Sequence, residues 1–251
     1  MGYRSGMKRR IAIGAGLAAA LLGAGLFAPA AGAAERRLTV VVLFTSQGCS
    51  SCPPADEYLG ELAGRNDVLA LSVHVDYWDY VGWKDPFAKS AHTERQRQYQ
   101  SFFNIRYIYT PQMVIQGASQ VIGSKREDVA AKIADAARLP QLPVTLARAG
   151  DTLAVRVAPA ADGIAAADSA VWLVAFDDRH ETRVKRGENG GRTIVNRNVV
   201  RRFDLLGTWN GGAFAAEAKV PPAEAGGGTA VLVQSLGTGR ILGAARLAPG
   251  G

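Results

Sequence analysis

The feature that most constrains this 251-residue chain is a junction in its first quarter. Leu38 to Phe44 reads Leu-Thr-Val-Val-Val-Leu-Phe, and shortly after it comes Cys49-Ser50-Ser51-Cys52-Pro53-Pro54. A nearly unbroken apolar and β-branched run is the pattern of a central strand buried on both faces. Thr45-Ser46-Gln47-Gly48 forms a turn segment. Pro53 and Pro54 fit the first turn of a helix, where the missing N–H groups would have had no intrahelical partner. Ala55 to Ala63 continues with helix formers, Tyr58, Leu59 and Leu62 share an apolar side, and Gly64 is placed to end the helix. Strand, cysteine-bearing turn and helix in direct succession point to an α/β architecture.

Whether the two cysteines do chemistry depends on where the chain resides. Met1 to Arg10 carries Arg4, Lys8, Arg9 and Arg10 and no acid, and an apolar run from Ile11 to Ala34 follows. It contains Ala31-Gly32-Ala33, the small-x-small pattern accepted by signal peptidase. Residues 1–34 therefore read as a secretory leader, with a retained anchor as the alternative. The expected location is periplasmic or extracellular, with no later membrane span. The leader holds 4 of the 29 basic residues and none of the 22 acids, so the formal charge of +7 falls to +3 in the mature chain. That small excess, without a dense Lys/Arg tract, argues against nucleic acid as a partner.

Outside the cytoplasm disulfides form and persist. A pair in one four-residue segment closes too small a loop to be an effective staple, about 2 kcal/mol by chain entropy before strain. A chain of this length also buries a sufficient core without one. Chemistry explains the pair better than reinforcement does. A structural zinc site would need two further ligands, and His74, His92 and His180 are scattered. A cysteine at a helix N-terminus meets unsatisfied amides and the positive end of the dipole, both favouring thiolate. Cys49 is expected as the exposed nucleophile and Cys52 as the resolving thiol. The reading requires Cys49 sulfur to be ionised by backbone amides and reachable from solvent. Copper held by Cys49, Cys52 and His74 is an alternative, and a non-catalytic, redox-sensing interaction module is another. No cofactor beyond the disulfide is required by the first reading, whose partners are protein thiols or disulfides. Oligomeric state leaves no trace in the sequence.

Further along, Val68 to Val75 reads as a strand, Ala88 to Phe103 as a helix ended by Asn104, and Met113 to Ile115 as a strand turning at Gly117. Gln120 to Ile122 returns, and Lys125 to Arg138 closes as an amphipathic helix. The order strand, Cys-x-x-Cys, helix, strand, helix, Thr-Pro, hairpin, helix resembles the thioredoxin fold. More narrowly, Leu43 to Asp56, His74-Val75-Asp76-Tyr77-Trp78-Asp79-Tyr80 and Tyr109-Thr110-Pro111-Gln112-Met113-Val114 resemble the exported proteins grouped as domain of unknown function 1223 (DUF1223). The resemblance implies that Pro111 is a cis-proline which, with Thr110, positions a partner beside Cys49. Thioredoxins also carry a buried acid on the strand before the motif. Val40 to Phe44 offer none, and Asp76 is the candidate proton acceptor in its place, or else a solvated loop acid. Trp78 and Trp83, in the aromatic stretch Asp76 to Phe87, either form a substrate lip or cover a core edge.

After Pro140 the pattern changes to short alternating runs: Val144 to Leu146, Leu153 to Val157, Val171 to Phe176, Ala213 to Val220 and Ala230 to Gln234. They predict a mostly antiparallel, sandwich-like β domain over 141–248, following a thioredoxin-like domain over 38–139. Arg186 to Thr193 lacks the ending of a phosphate-binding loop. It is expected either to dock onto the first domain or to be an exposed hairpin tip.

Overall fold

The computed structural model describes residues 37–164, 166–220 and 226–247. The expected leader, 1–34, lies outside them. Strand β1 (Thr39–Thr45) is followed by α1 (Pro53–Ala63), β2 (Val68–His74), a short turn of 3-10 helix (Asp79–Val81) and α2 (Ser90–Phe102). Then come β3 (Gln112–Ile115), β4 (Ser119–Ile122) and α3 (Arg126–Ala136). The remainder is β: β5 (Val144–Ala149), β6 (Thr152–Val157), β7 (Ser169–Arg183), β8 (Thr193–Trp209), β9 (Phe214–Lys219), β10 (Gly228–Ser235) and β11 (Ile241–Arg246).

Every residue of β1 is buried, because β1 lies between parallel β2 and antiparallel β3, with covering layers on both faces. Alternation along the strand sorts its side chains. Val41 and Leu43 meet Leu59 and Leu62 of α1 and Val129 and Ile133 of α3. Val40, Val42 and Phe44 face the other way, into a cluster with Tyr99 of α2. Helix α1 starts where the prolines allow it, with Pro at its first positions and Cys52 as N-cap. Helix α2 stops at Asn104, which takes a left-handed conformation (φ 49°), one that Asn tolerates better than most residues.

The fold is mixed α/β around one large mixed sheet of eight strands, in the order β11-β10-β7-β8-β2-β1-β3-β4. Four of its strands come from the C-terminal stretch. The boundary expected near residue 140 is therefore not a boundary of the sheet, and the described residues form one compact unit. The cause is β8, which continues the sheet parallel to β2, with Val199 opposite Ser72. The core follows: Val174, Val200 and Leu232 share a cluster with Val40 and Leu71. Only β5, β6 and β9 form a separate three-stranded sheet. Its Leu153, Val155 and Val157 pack with Leu173 and Val231 of the large sheet.

Candidate functional site

The junction that opens the chain builds the site. β1 delivers the backbone to Thr45, the turn reverses it, and Cys49 and Cys52 follow, joined by a disulfide with Cα atoms 5.4 Å apart. Cys49 N–H donates to Ser46 O (3.1 Å) and Cys52 N–H to Cys49 O (3.2 Å). Ser51 Oγ lies 3.4 Å from Cys49 Sγ.

Two expectations about Cys49 are corrected. Both cysteines are 0% exposed, so Cys49 is not the solvent-exposed nucleophile the sequence led us to expect. The amides that were to ionise it are also scarce. Pro53 and Pro54 have no N–H, and the N–H groups of Ala55 and Asp56 both donate to Cys52 O (2.9 and 3.0 Å). A loop from much later in the sequence is hydrogen-bonded to the backbone of this buried turn. Strands β7 and β8 are joined by residues 184–192, and this loop lies on the cysteine turn. Buried Asn189 donates through Nδ2 to Gln47 O (3.0 Å) and Cys49 O (2.9 Å). Ser50 N–H donates to Glu188 Oε2 (3.2 Å). Of the two expectations for this loop, docking is the one realised.

The aromatic stretch and the proline loop close the other sides. The Thr110–Pro111 peptide is cis, and pairing of Phe44 with Gln112 sets Pro111 beside the exit of β1. Trp78 Nε1 donates to Thr110 Oγ1 (2.7 Å) and Trp83 Nε1 to Gln47 Oε1 (3.1 Å). Both half-buried indoles are thus fastened to the site. A Cβ on Gly48 would lie 3.2 Å from both Trp78 Cβ and Trp78 O, so glycine lets the aromatic stretch approach the cysteine turn. Asp76 Oδ1 accepts from Thr93 Oγ1 of α2 (2.6 Å).

Beneath the turn is a buried polar cluster that the sequence reading missed. His74 Nδ1 is 2.7 Å from Asp85 Oδ2 with both side chains fully buried. Asp85 also accepts the N–H groups of Gln47 (2.8 Å) and Phe87 (2.9 Å). Burial alone would raise the Asp85 carboxyl, but the His74 charge and these bonds outweigh it and hold it below the ordinary value. Burial opposes charge on His74 too, yet Asp85 and Asp56 keep it above its usual value. Asp56, one helical turn after Cys52, is the third member. Burial pushes its carboxyl up to about 7, against the pull of the His74 charge. Among the described residues neither Asp56 oxygen has a hydrogen-bond partner, and neither do Thr45 Oγ1, His74 Nε2 or Asn196 Nδ2. One signal for Asp56 was present in the sequence: an acid on the helix side that carries Leu59 and Leu62. Asn189 left no comparable mark.

The sulfurs are joined as a disulfide and Nδ1 of His74 is engaged by Asp85. Among the described residues no group of three or more His, Cys, Asp or Glu is arranged to hold a metal ion. Also among the described residues, no helix is long and apolar enough to cross a membrane.

The profile of a family described as a protein of unknown function (DUF1223) matches residues 40–234, most of the chain. The chain belongs to the DUF1223 family. A crystal structure of a protein from Agrobacterium tumefaciens is similar, at 32% sequence identity and a TM-score of 0.74. The match covers 86% of this chain and 96% of that one. Among curated proteins none matches. The DUF1223 match runs from β1 into β10, so it includes the cysteine turn, the cis-proline and the covering loop.

Proposed function

We propose that this DUF1223 protein is an exported thiol–disulfide redox protein on a thioredoxin-like core, gated by the 184–192 loop. A sulfur without exposed surface cannot be attacked by a protein partner, so an enzyme working from this closed arrangement alone is ruled out. The observation that carries the gated reading is the nature of the cover. Three hydrogen bonds from Asn189 and Glu188 reach the Gln47–Ser50 segment. At about 1 kcal/mol each, they hold the latch by about 3 kcal/mol, an open fraction on the order of one in a hundred. The thioredoxin-like reading is supported by the order β2-β1-β3-β4, by α1 and α3 on one face with α2 on the other, and by cis-Pro111. The basic, then apolar, start of the sequence supports export.

With the loop lifted, a partner thiolate attacks Cys49 Sγ. The Cys49–Cys52 bond breaks, its electron pair goes to Cys52 sulfur, and the protonated Asp56 carboxyl gives that sulfur its proton. A second partner thiolate attacks the partner's sulfur in the mixed disulfide, and Cys49 leaves as thiolate. The partner dithiol is oxidised and the pair reduced; the reverse sequence oxidises a partner. Asp56 replaces Asp76 in this role because it lies on the cysteine helix, whereas Asp76 is tied to α2.

Removing two latch bonds by Asn189→Ala should speed reduction of the disulfide by dithiothreitol roughly thirtyfold. Cys52→Ser in the same background should trap mixed disulfides in the cell envelope. Cys49 burial favours one competing reading, a non-catalytic module that keeps its pair oxidised. Equal, very slow reduction of wild type and Asn189→Ala, with nothing trapped, would establish that reading and end the gated one.

A further inference from the structure

Charge is unevenly spread over the latch. Between Asp177 and Arg202 the chain holds eight Lys and Arg residues and four Asp and Glu, an excess of four. The mature chain as a whole carries an excess of only three. The four acids are already engaged. Asp177 faces His180 and Arg201, Asp178 pairs with Arg197, and Glu181 pairs with Arg179. Glu188 accepts from Ser50. In the loop and at the end of β7 leading into it, Arg183, Lys185 and Arg186 are exposed and form no ion pair among the described residues. Exposed Lys84 follows Trp83, whose Cβ would be 3.3 Å from a Cβ on Gly187. Tyr80, in the same stretch, is 83% exposed.

The charge is also connected to the latch. Arg192, exposed at the base of the loop, donates through Nη1 to Asn189 Oδ1 (3.1 Å). It braces the side chain whose amide donates to Gln47 O and Cys49 O. A carboxylate presents two oxygens to a guanidinium and makes a stronger, charge-assisted contact than a neutral amide oxygen does. A carboxylate arriving here takes Arg192 from Asn189 and repels Glu188, the other latch residue. Both effects loosen the cover.

We infer that the β7–β8 tip is a docking surface for an acidic polypeptide segment, and that engaging Arg192 there uncovers the Cys49–Cys52 disulfide. The inference rests on the redox reading for its purpose, but the binding itself does not. A polypeptide fits because the cationic tip adjoins an exposed tyrosine and a disulfide that only a thiol- or disulfide-bearing partner would use.

The test compares three synthetic peptides with one central cysteine, flanked by glutamates, glutamines or lysines, as reductants of the full mature protein. At low salt the glutamate peptide should react at least about tenfold faster than the lysine peptide. The ratio should fall toward one near 1 M salt, where screening is complete within a few ångströms. It should fall likewise in Arg183→Ser/Lys185→Ser/Arg186→Ser protein. Equal and measurable reduction rates for the three peptides in wild type would overturn the inference. A glutamate peptide carrying serine in place of cysteine separates the two claims, with binding read from tryptophan fluorescence. If it binds in a salt-sensitive way while no thiol peptide reduces the disulfide, the surface stands and the redox reading falls. Failure of that peptide to bind, or binding of phosphatidylglycerol vesicles in preference to it, would refute the acidic-polypeptide assignment.

Discussion

Asp56 shows how one buried group ties local chemistry to global stability. Its carboxyl keeps its proton up to about pH 7 in the fold, whereas in the unfolded chain it is released near the ordinary carboxyl value. The folded state therefore binds the extra proton between about pH 4 and 7. Stability from this group is complete below that window and declines as pH rises through it. The span corresponds to a few kcal/mol, on the order of 4. Replacement by the isosteric Asn removes the titration. The stability of Asp56→Asn relative to wild type should thus climb between pH 4 and 7, as read from urea unfolding at a series of pH values, and the lost pull of Asp56 on His74 adds to the climb as His74 loses its proton. His92, pushed down to about 4 by burial, produces the opposite slope, but it is common to both proteins and cancels in the difference. A flat difference would show that Asp56 titrates like a surface acid. The acid was visible on the apolar side of its helix. Its partners were not, because His74 and Asp85 stand far from it in sequence and meet it only when β2 pairs with β1.

Among the elements, the β3–β4 turn illustrates a junction that alternation alone does not reveal. Gln116, with φ 53°, accepts Val40 N–H through Oε1 (2.9 Å) and donates through Nε2 to Ile241 O (2.7 Å). It fastens the start of β1 to β11. Gln116→Ala would leave a buried donor and a buried acceptor without partners, at about 1–3 kcal/mol each. We expect a loss of about 2–5 kcal/mol in chemical denaturation; a loss under 1 kcal/mol would mean that the turn is not held this way. Next to it, a Cβ on Gly117 would run into Gly239 O, so the hairpin and the loop before β11 meet backbone to backbone. Most strands were legible as runs of alternating or continuous apolar residues. β8 and β11 were not. β8 reads Thr-Ile-Val-Asn-Arg-Asn-Val-Val-Arg-Arg-Phe-Asp-Leu-Leu-Gly-Thr-Trp, and its pairing with β7 shifts register twice, which destroys the two-residue period that marks a strand.

At the scale of the molecule, continuity of the sheet decides what can fold alone. The cluster on the α2 side of β1 draws Val174, Phe176, Val200, Ala230, Leu232 and Ile241 from beyond residue 140. A fragment of residues 37–139 would expose that face and leave β2 with an open edge. It should show no cooperative thermal transition and no near-ultraviolet circular dichroism, while a chain of residues 35–251 shows both. Independent folding of the fragment would restore the division that the change of pattern at Pro140 implies.

The chain's linear order by itself determined the strand–turn–helix around the cysteines, the character of β1 and the mixed α/β class, because these rest on neighbouring residues and short periodicities. It also carried the family resemblance that the DUF1223 match supports. Tertiary structure alone decided that the disulfide is covered, that Asp56 shares its burial with His74, and that the two halves share one sheet. The first and the last depend on contacts between residues more than a hundred positions apart, such as Asn189 with Cys49, and the second on the packing of α1 against β2. No local propensity encodes such contacts; they follow from β8 completing the sheet beside β2 and from the β7–β8 loop bonding to the cysteine turn.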